Sequence, residues 1–199
     1  MSDDLIILRE MIASSATVPL TETYNQCYEV TLTEPECPAS TITIKGVPQD
    51  AIVINIKAFD SSFAAMFNGT KGECKRGDYV IIAEKDGSLV IVCIEMKMTK
   101  QHHKRREIIK QHYGSYCFMC YCSELGKVFW DNPRFLQSVR YRYVSIFSNP
   151  IKMKKQLDLD PHNSPETMLQ ISGNKIHFSI LAGACNNTHS PHVQEKSAW

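Results

Sequence analysis

Asp86-Gly87 stands between two runs, Tyr79-Val-Ile-Ile-Ala83 and Leu89-Val-Ile-Val-Cys-Ile94, that are apolar or aromatic at every position. An Asp-Gly pair supplies the two left-handed residues of a type I′ turn, whose twist matches that of paired antiparallel strands. A reversal there sets Lys85 against Ser88 and carries the register outward until Asp78 faces Glu95. Side chains alternate, so Val80, Ile82, Ile91 and Cys93 share one face while Tyr79, Ile81, Val92 and Ile94 share the other. Strands apolar on both faces are covered on both faces. The hairpin is therefore expected at the centre of a sheet inside a layered α/β fold.

Its open end is charged. Asp78, Glu95 and Lys97 fall on one face by the same alternation. Like charges directly opposite in a sheet repel, so something must compensate. A divalent cation held by both carboxylates with Lys97 beside it is the simplest arrangement. The alternative is an ordinary ion-pair cluster at the sheet margin with Lys97 or Lys75.

The flanking segments supply further elements. Residues 3–14 open with Asp3-Asp4 and place Leu5, Leu8, Met11 and Ile12 at helical spacing. β-type runs at Cys27–Thr33, Thr41–Lys45 and Ala51–Ala58, punctuated by Pro35, Pro38 and Gly46-Val-Pro48, suggest an antiparallel meander. A short helical turn is expected around Ser62–Phe67. Thr99 can cap a helix of which Ile109, Tyr113, Tyr116, Cys117, Cys120 and Glu124 trace one face, with Gly126 as its stop. Strands are expected at Tyr141–Phe147 and Lys175–Ala182, with 150–173 rich in loops. The 199 residues read as one domain, with a core over about 3–182 and a polar tail over 185–199. No apolar run approaches the roughly 20 residues of a membrane span, and the acidic start Met1-Ser-Asp-Asp is unlike a secretory signal. The expectation is a cytoplasmic protein with no membrane segment.

Charge is segregated along the chain. From Lys97 to Lys155 there are 13 Lys and Arg against three acids, whereas residues 1–96 carry seven against 14. That separation points to a polyanion partner for one face, with a solvated basic helix as the bland alternative.

An acid, sixteen intervening residues and then Glu95-Met-Lys97 on adjacent strands, followed by a basic helix, resembles the PD-(D/E)xK, or restriction-endonuclease-like, nuclease superfamily. The approach Lys75-Arg-Gly-Asp78 and the exit Val-Cys-Ile-Glu95-Met-Lys97 are similar to members that cut DNA in bacterial defence. The resemblance covers the motif and about 70 to 100 residues of topology around it. It implies a central mixed sheet flanked by helices in the order α-β-β-β-α-β. It further implies a Mg2+-dependent endonuclease, with Mn2+ able to substitute, in which Asp78 and Glu95 bind metal and Lys97 positions the attacking water. Many members add an acid from the first helix, for which Glu10 is the best placed, with Glu73 second. DNA is the expected partner, RNA being a further possibility, contacted through Lys75, Lys100, Gln101, Lys104, Arg105, Lys110, Arg140 and Arg142. A homodimer or an activating protein partner is compatible with that class. The rival reading is a non-catalytic nucleic-acid-binding or protein-interaction module on the same fold.

The eight cysteines read as reduced thiols. Cys117, Cys120 and Cys122 are spaced closely enough to ligate zinc or an iron–sulfur cluster. Core packing is the expectation, with Cys117 and Cys120 on the buried stripe and Cys122 pointing away. In Arg140-Tyr-Arg-Tyr143 the alternation puts arginines on one face and tyrosines, as core residues, on the other.

Overall fold

The structure, a computed structural model, describes residues 2–24, 27–34, 37–59, 66–97, 105–147, 164–165 and 168–183. The hairpin forms in the expected register. Strands β5 (Tyr79–Lys85) and β6 (Ser88–Lys97) pair from Tyr79↔Ile94 to Lys85↔Ser88. Asp86 and Gly87 adopt φ of 51° and 72°, as a type I′ turn requires. Strand β4 (Ile52–Asn55) lies antiparallel to β5, while β7 (Val139–Phe147) and β8 (Leu169–Ser172) run parallel to β6, giving a mixed sheet of order β4-β5-β6-β7-β8. The parallel step from β6 to β7 needs a crossover, and helix α2 (Arg105–Phe129) provides it.

Both faces of the hairpin are covered, by different materials. Val80, Ile82, Ile91 and Cys93 pack under helix α1 (Asp3–Met11) and α2, against Leu5, Leu8, Met119 and Phe135. Tyr79, Ile81, Val92 and Ile94 pack instead against a second sheet, made of β1 (Thr21–Glu22), β2 (Tyr28–Glu34), β3 (Cys37–Val47) and β9 (Lys175–His177). Each fully buried aliphatic side chain contributes roughly 2 kcal/mol by removal from water, so this twice-covered hairpin is the main anchor of the fold.

The second sheet corrects two expectations. Helices α1 and α2 flank one face of the central sheet, whereas the other is covered by the second sheet together with a short helix over Phe178–Ala182, and the meander over 27–58 divides between the sheets. Strands β2 and β3 pair antiparallel, but β4 joins the central sheet. The reason lies in their side chains. Val30, Leu32, Ile42 and Ile44 are buried while Thr31, Thr41 and Thr43 turn outward, the pattern of a strand covered on one side. Ile52 and Ile54 enter the helix-covered core and Val53 the opposite one, so β4 requires two covers.

Other boundaries move for local reasons. Lys175–Ala182 is strand only to His177; its imidazole Nδ1 accepts the Ser179 N–H at 3.3 Å and starts helix α3 (Phe178–Ala182). Within the stretch expected to be loop-rich, Leu169–Ser172 pairs with β7. The stripe on α2 is shifted by about one residue: Ile108, His112, Ser115, Met119, Cys122 and Gly126 are buried, and Tyr113, Tyr116 and Cys117 are exposed. Gly126 does not stop the helix, which continues to Phe129. A Cβ at Gly126 would lie 2.0 Å from the Phe135 ring, so glycine lets that ring seat against the helix. Most of the turn expected at Ser62–Phe67, the Thr99 cap and the polar tail over 185–199 lie outside the described residues. Among the described residues no helix is long and apolar enough to cross a membrane.

Candidate active site

Asp78 precedes β5 and continues its ladder: its N–H donates to the Ile94 carbonyl at 3.0 Å and its own carbonyl accepts the Ile56 N–H at 3.0 Å. The strand pair thus fixes its backbone, and its Oδ2 accepts the Met96 N–H at 2.7 Å. Glu95 and Lys97 project from β6 to the same face, where the Lys97 ammonium meets Glu95 Oε1 at 2.5 Å. Burial is deep, with Glu95 at 0%, Asp78 at 2% and Lys97 at 18% exposure. The three residues singled out by alternation are therefore brought together.

Their charges are strained by that burial. Loss of solvent is the main cause that pushes the Glu95 pKa up to about 8; the negative charge of Asp78 adds to it, and the Lys97 and Lys57 ammonium groups offset it only in part. Asp78 is raised too, by burial that outweighs the Met96 N–H and the two lysines. Burial disfavours the Lys97 ammonium, but the acids around it, Glu95 first, hold its pKa above the ordinary value.

A neutral polar layer lies beside the acids. Ser145 is the register partner of Glu95 on β7, and its Oγ lies 3.2 Å from His112 Nε2. His112 is fully buried, which pushes its pKa down to about 3 and keeps it uncharged. Ser115 Oγ accepts the Gly77 N–H at 3.0 Å. This approach of α2 to the strand-entry loop depends on Gly114, where a Cβ would fall 1.7 Å from the Lys75 carbonyl oxygen.

Sequence reasoning missed several of these groups. Lys57 lies 3.7 Å from Asp78 Oδ1. It sits on a 3-10 turn, Ile56–Phe59, that breaks the strand expected through Ala58. His112, Ser115 and Ser145 carried no charge or spacing signal. Glu34, at the end of β2 and 3% exposed, acts electrostatically on Lys97 and Tyr79. It falls one residue past the run Cys27–Thr33, next to Pro35.

The third acid expected from the first helix is elsewhere. Glu10 Oε2 accepts the Trp130 indole N–H at 2.8 Å. Trp130 follows Ser115 by fifteen residues, roughly 22 Å along a helix axis. Glu73 is exposed and accepts the Lys71 N–H within its own loop at 2.8 Å. Neither joins Asp78 and Glu95.

The basic residues divide. Lys75 and Lys110 both pair with Glu107 at the start of α2, and Arg105 is exposed there. Lys100, Gln101 and Lys104 lie outside the described residues. Arg140 and Arg142 do not belong to this group. They alternate with Tyr141 and Tyr143, which pack in the helix-covered core, so both arginines face the opposite side of the sheet from the acids. Arg140 is also aligned with Val90, five residues or about 16 Å short of Glu95. Its Nη2 donates to the Lys85 carbonyl at 3.5 Å.

The thiols are distributed opposite to expectation. Cys122 is buried, with a pKa pushed up to about 12 by burial, while Cys117 is exposed and Cys120 intermediate. A helix cannot turn both sides toward one ion.

Among the described residues no three His, Cys, Asp or Glu side chains are grouped to hold a metal ion. The pair Asp78 and Glu95 nevertheless has the donor chemistry for a hard cation. Glu95 Oε2 is sealed from solvent without a hydrogen bond of good geometry, and Mg2+ takes one or two carboxylates while retaining waters. Compared with models of protein families, with curated proteins and with solved structures, the chain matches none.

Proposed function

We propose that the chain is a metal-dependent phosphodiesterase that cuts DNA, with Asp78 and Glu95 as ligands of Mg2+ or Mn2+ and Lys97 as the residue that positions the attacking water. The observation carrying this reading is the convergence of two buried carboxylates and a lysine on one face at the open end of the central hairpin. A raised Glu95 pKa supports it, because two acids that resist ionising together are the groups a divalent cation relieves. Element order supports it as well. Helix α1, strands β4, β5 and β6, helix α2 and strand β7 follow the α-β-β-β-α-β order of PD-(D/E)xK nucleases, with β1 to β3 inserted after α1.

Phosphodiester hydrolysis joins a water oxygen to phosphorus and breaks one ester P–O bond, leaving an alkoxide that takes a proton. A bound Mg2+ supplies charge neutralisation at the phosphate and a more acidic water. The Met96 N–H clamps Asp78 through Oδ2 and so fixes its carboxylate against the strand ladder. Lys97, held by Glu95, directs an N–H toward the water and adds positive charge where the transition state becomes more negative. Lys75 and Lys110 beside the entry loop provide phosphate contacts.

The test is cleavage of labelled single- and double-stranded DNA, with RNA in parallel, under Mg2+ and Mn2+. Wild type should cut, and Lys97→Ala should lose about a hundredfold or more in rate while melting at nearly the same temperature. A folded wild-type protein that binds DNA but cuts no nucleic acid with either metal would favour the non-catalytic binding module.

A further inference from the structure

The two carboxylates are matched by two lysines, one to each acid. Lys97 meets Glu95 Oε1 from the next row of β6, and Lys57 faces Asp78 Oδ1 from the turn that follows β4. Asp78 Oδ2 is already engaged by the Met96 N–H. Of the two Asp78 oxygens, the one without a backbone donor is therefore the one that Lys57 confronts.

The main chain of Lys57 is tied to the site while its head reaches the surface. Its N–H donates to Asn55 Oδ1 at 3.1 Å, and the preceding Ile56 N–H donates to the Asp78 carbonyl at 3.0 Å. The turn is thus fastened to the residue its side chain faces. The Lys57 side chain is 36% exposed and Asp78 2%, so the ammonium can leave Asp78 for solvent or substrate. A cation arriving on Oδ1 would repel an ammonium 3.7 Å from that oxygen.

We infer that Lys57 is a second lysine of the active site: it holds Asp78 Oδ1 while no metal is bound, yields that oxygen when metal enters, and then contacts a phosphate of the nucleic acid. The inference rests on the metal-dependent reading above. By linkage, an ion pair that metal must break weakens metal binding by the strength of that pair. Its removal should tighten metal binding while weakening substrate turnover, a combination that loss of a merely structural side chain does not produce.

The experiment is Mn2+ titration by calorimetry, paired with cleavage of a labelled oligonucleotide at saturating Mn2+, on wild type, Lys57→Met, Lys57→Arg and Asp78→Asn. Lys57→Met keeps most of the aliphatic stem and should bind Mn2+ about twofold to fivefold more tightly, the range of a partly exposed ion pair. Its kcat/KM should fall by about tenfold, one phosphate contact being worth roughly that factor, and Lys57→Arg should restore most of the loss. Wild type without an Asp78-dependent Mn2+ site would overturn the metal-dependent reading itself. With such a site present, Mn2+ affinity unchanged or weakened in Lys57→Met would overturn the assignment of Lys57 alone, and that readout does not depend on cleavage.

Discussion

Glu95 makes the stability of the fold depend on pH in a direction opposite to that of most paired carboxylates. Its pKa is pushed from 4.5 to about 8, so between those values the folded state holds a proton that the unfolded chain has released. Stability then falls as pH rises, by up to about 1.4 kcal/mol per pH unit for one proton. His112 acts in the other sense. Its pKa is lowered from 6.5 to about 3, so between those values the unfolded chain takes up a proton that the folded state lacks, and stability rises with pH. From about 4.5 to 6.5 the two slopes oppose each other and nearly cancel. From 6.5 to about 8 Glu95 acts without that opposition, and the wild type should lose roughly 2 kcal/mol. Glu95→Gln keeps the shape and removes the titration. It should rise in stability up to pH 6.5 and remain nearly flat to pH 8, so that its lead over the wild type grows by about 2 kcal/mol between pH 6.5 and 8. Urea unfolding without divalent metal, followed by tryptophan fluorescence at pH 5, 6.5 and 8, measures both curves. Parallel wild-type and Glu95→Gln curves above pH 6.5, or a wild type that gains stability there, would refute the account of the buried acid.

The same proton links pH to metal. Because a cation displaces it, Mg2+ at a fixed concentration should raise the melting temperature more at pH 8 than at pH 6.5, and Glu95→Gln should remove most of that difference; equal shifts at both pH values would count against a site at Glu95. Gly114→Ala places a methyl 1.7 Å from the Lys75 carbonyl oxygen, a backbone atom that cannot turn aside. It should destabilise by about 2 kcal/mol or more despite alanine's better helix propensity, as read by urea unfolding. In DNA binding, Lys110→Ala should weaken affinity and reduce the salt slope by about one, whereas Arg142→Ala should leave the slope unchanged; filter binding across a salt series separates them.

The hairpin was legible because three signals agreed there. Asp86-Gly87 set the turn, alternation set the faces, and apolar residues on both faces set the depth, so Asp78, Glu95 and Lys97 met as expected. On α2 the signals disagreed with the fold. Its buried face includes His112, Ser115 and Gly126, chosen for close approach and hydrogen bonding rather than hydropathy, while Tyr113 and Tyr116 on the outer face look like core. A stripe chosen by hydropathy therefore rotates by about one residue, and Cys117 and Cys122 exchange roles. Lys57 and Glu34 were hidden for another reason. Lys57 reaches the site through a change of backbone direction, and a turn without glycine or proline at 56–59 leaves little trace in sequence, while Glu34 ends a strand of the other sheet.

The second sheet ties these findings together physically. A hairpin end covered by helices alone would leave its charged rows close to solvent, where two carboxylates ionise with little cost. Here β2 reaches along the far face as far as Glu34, and Tyr79 donates its hydroxyl hydrogen to the Thr33 carbonyl at 2.7 Å, fastening the two sheets beside Asp78. With α2 seated on the other face through Gly114, the acids are enclosed from both sides. Enclosure raises the Glu95 pKa, and the raised pKa makes the pair respond to cations. Weakening the Tyr79 clasp should therefore lower the Glu95 pKa even though Tyr79 points to the opposite face. Tyr79→Phe keeps the packing and removes only the two hydrogen bonds to Thr33, whose N–H donates to the hydroxyl at 3.3 Å. It should flatten the loss of stability between pH 6.5 and 8, whereas an unchanged slope would locate the desolvation of Glu95 in the helix face alone.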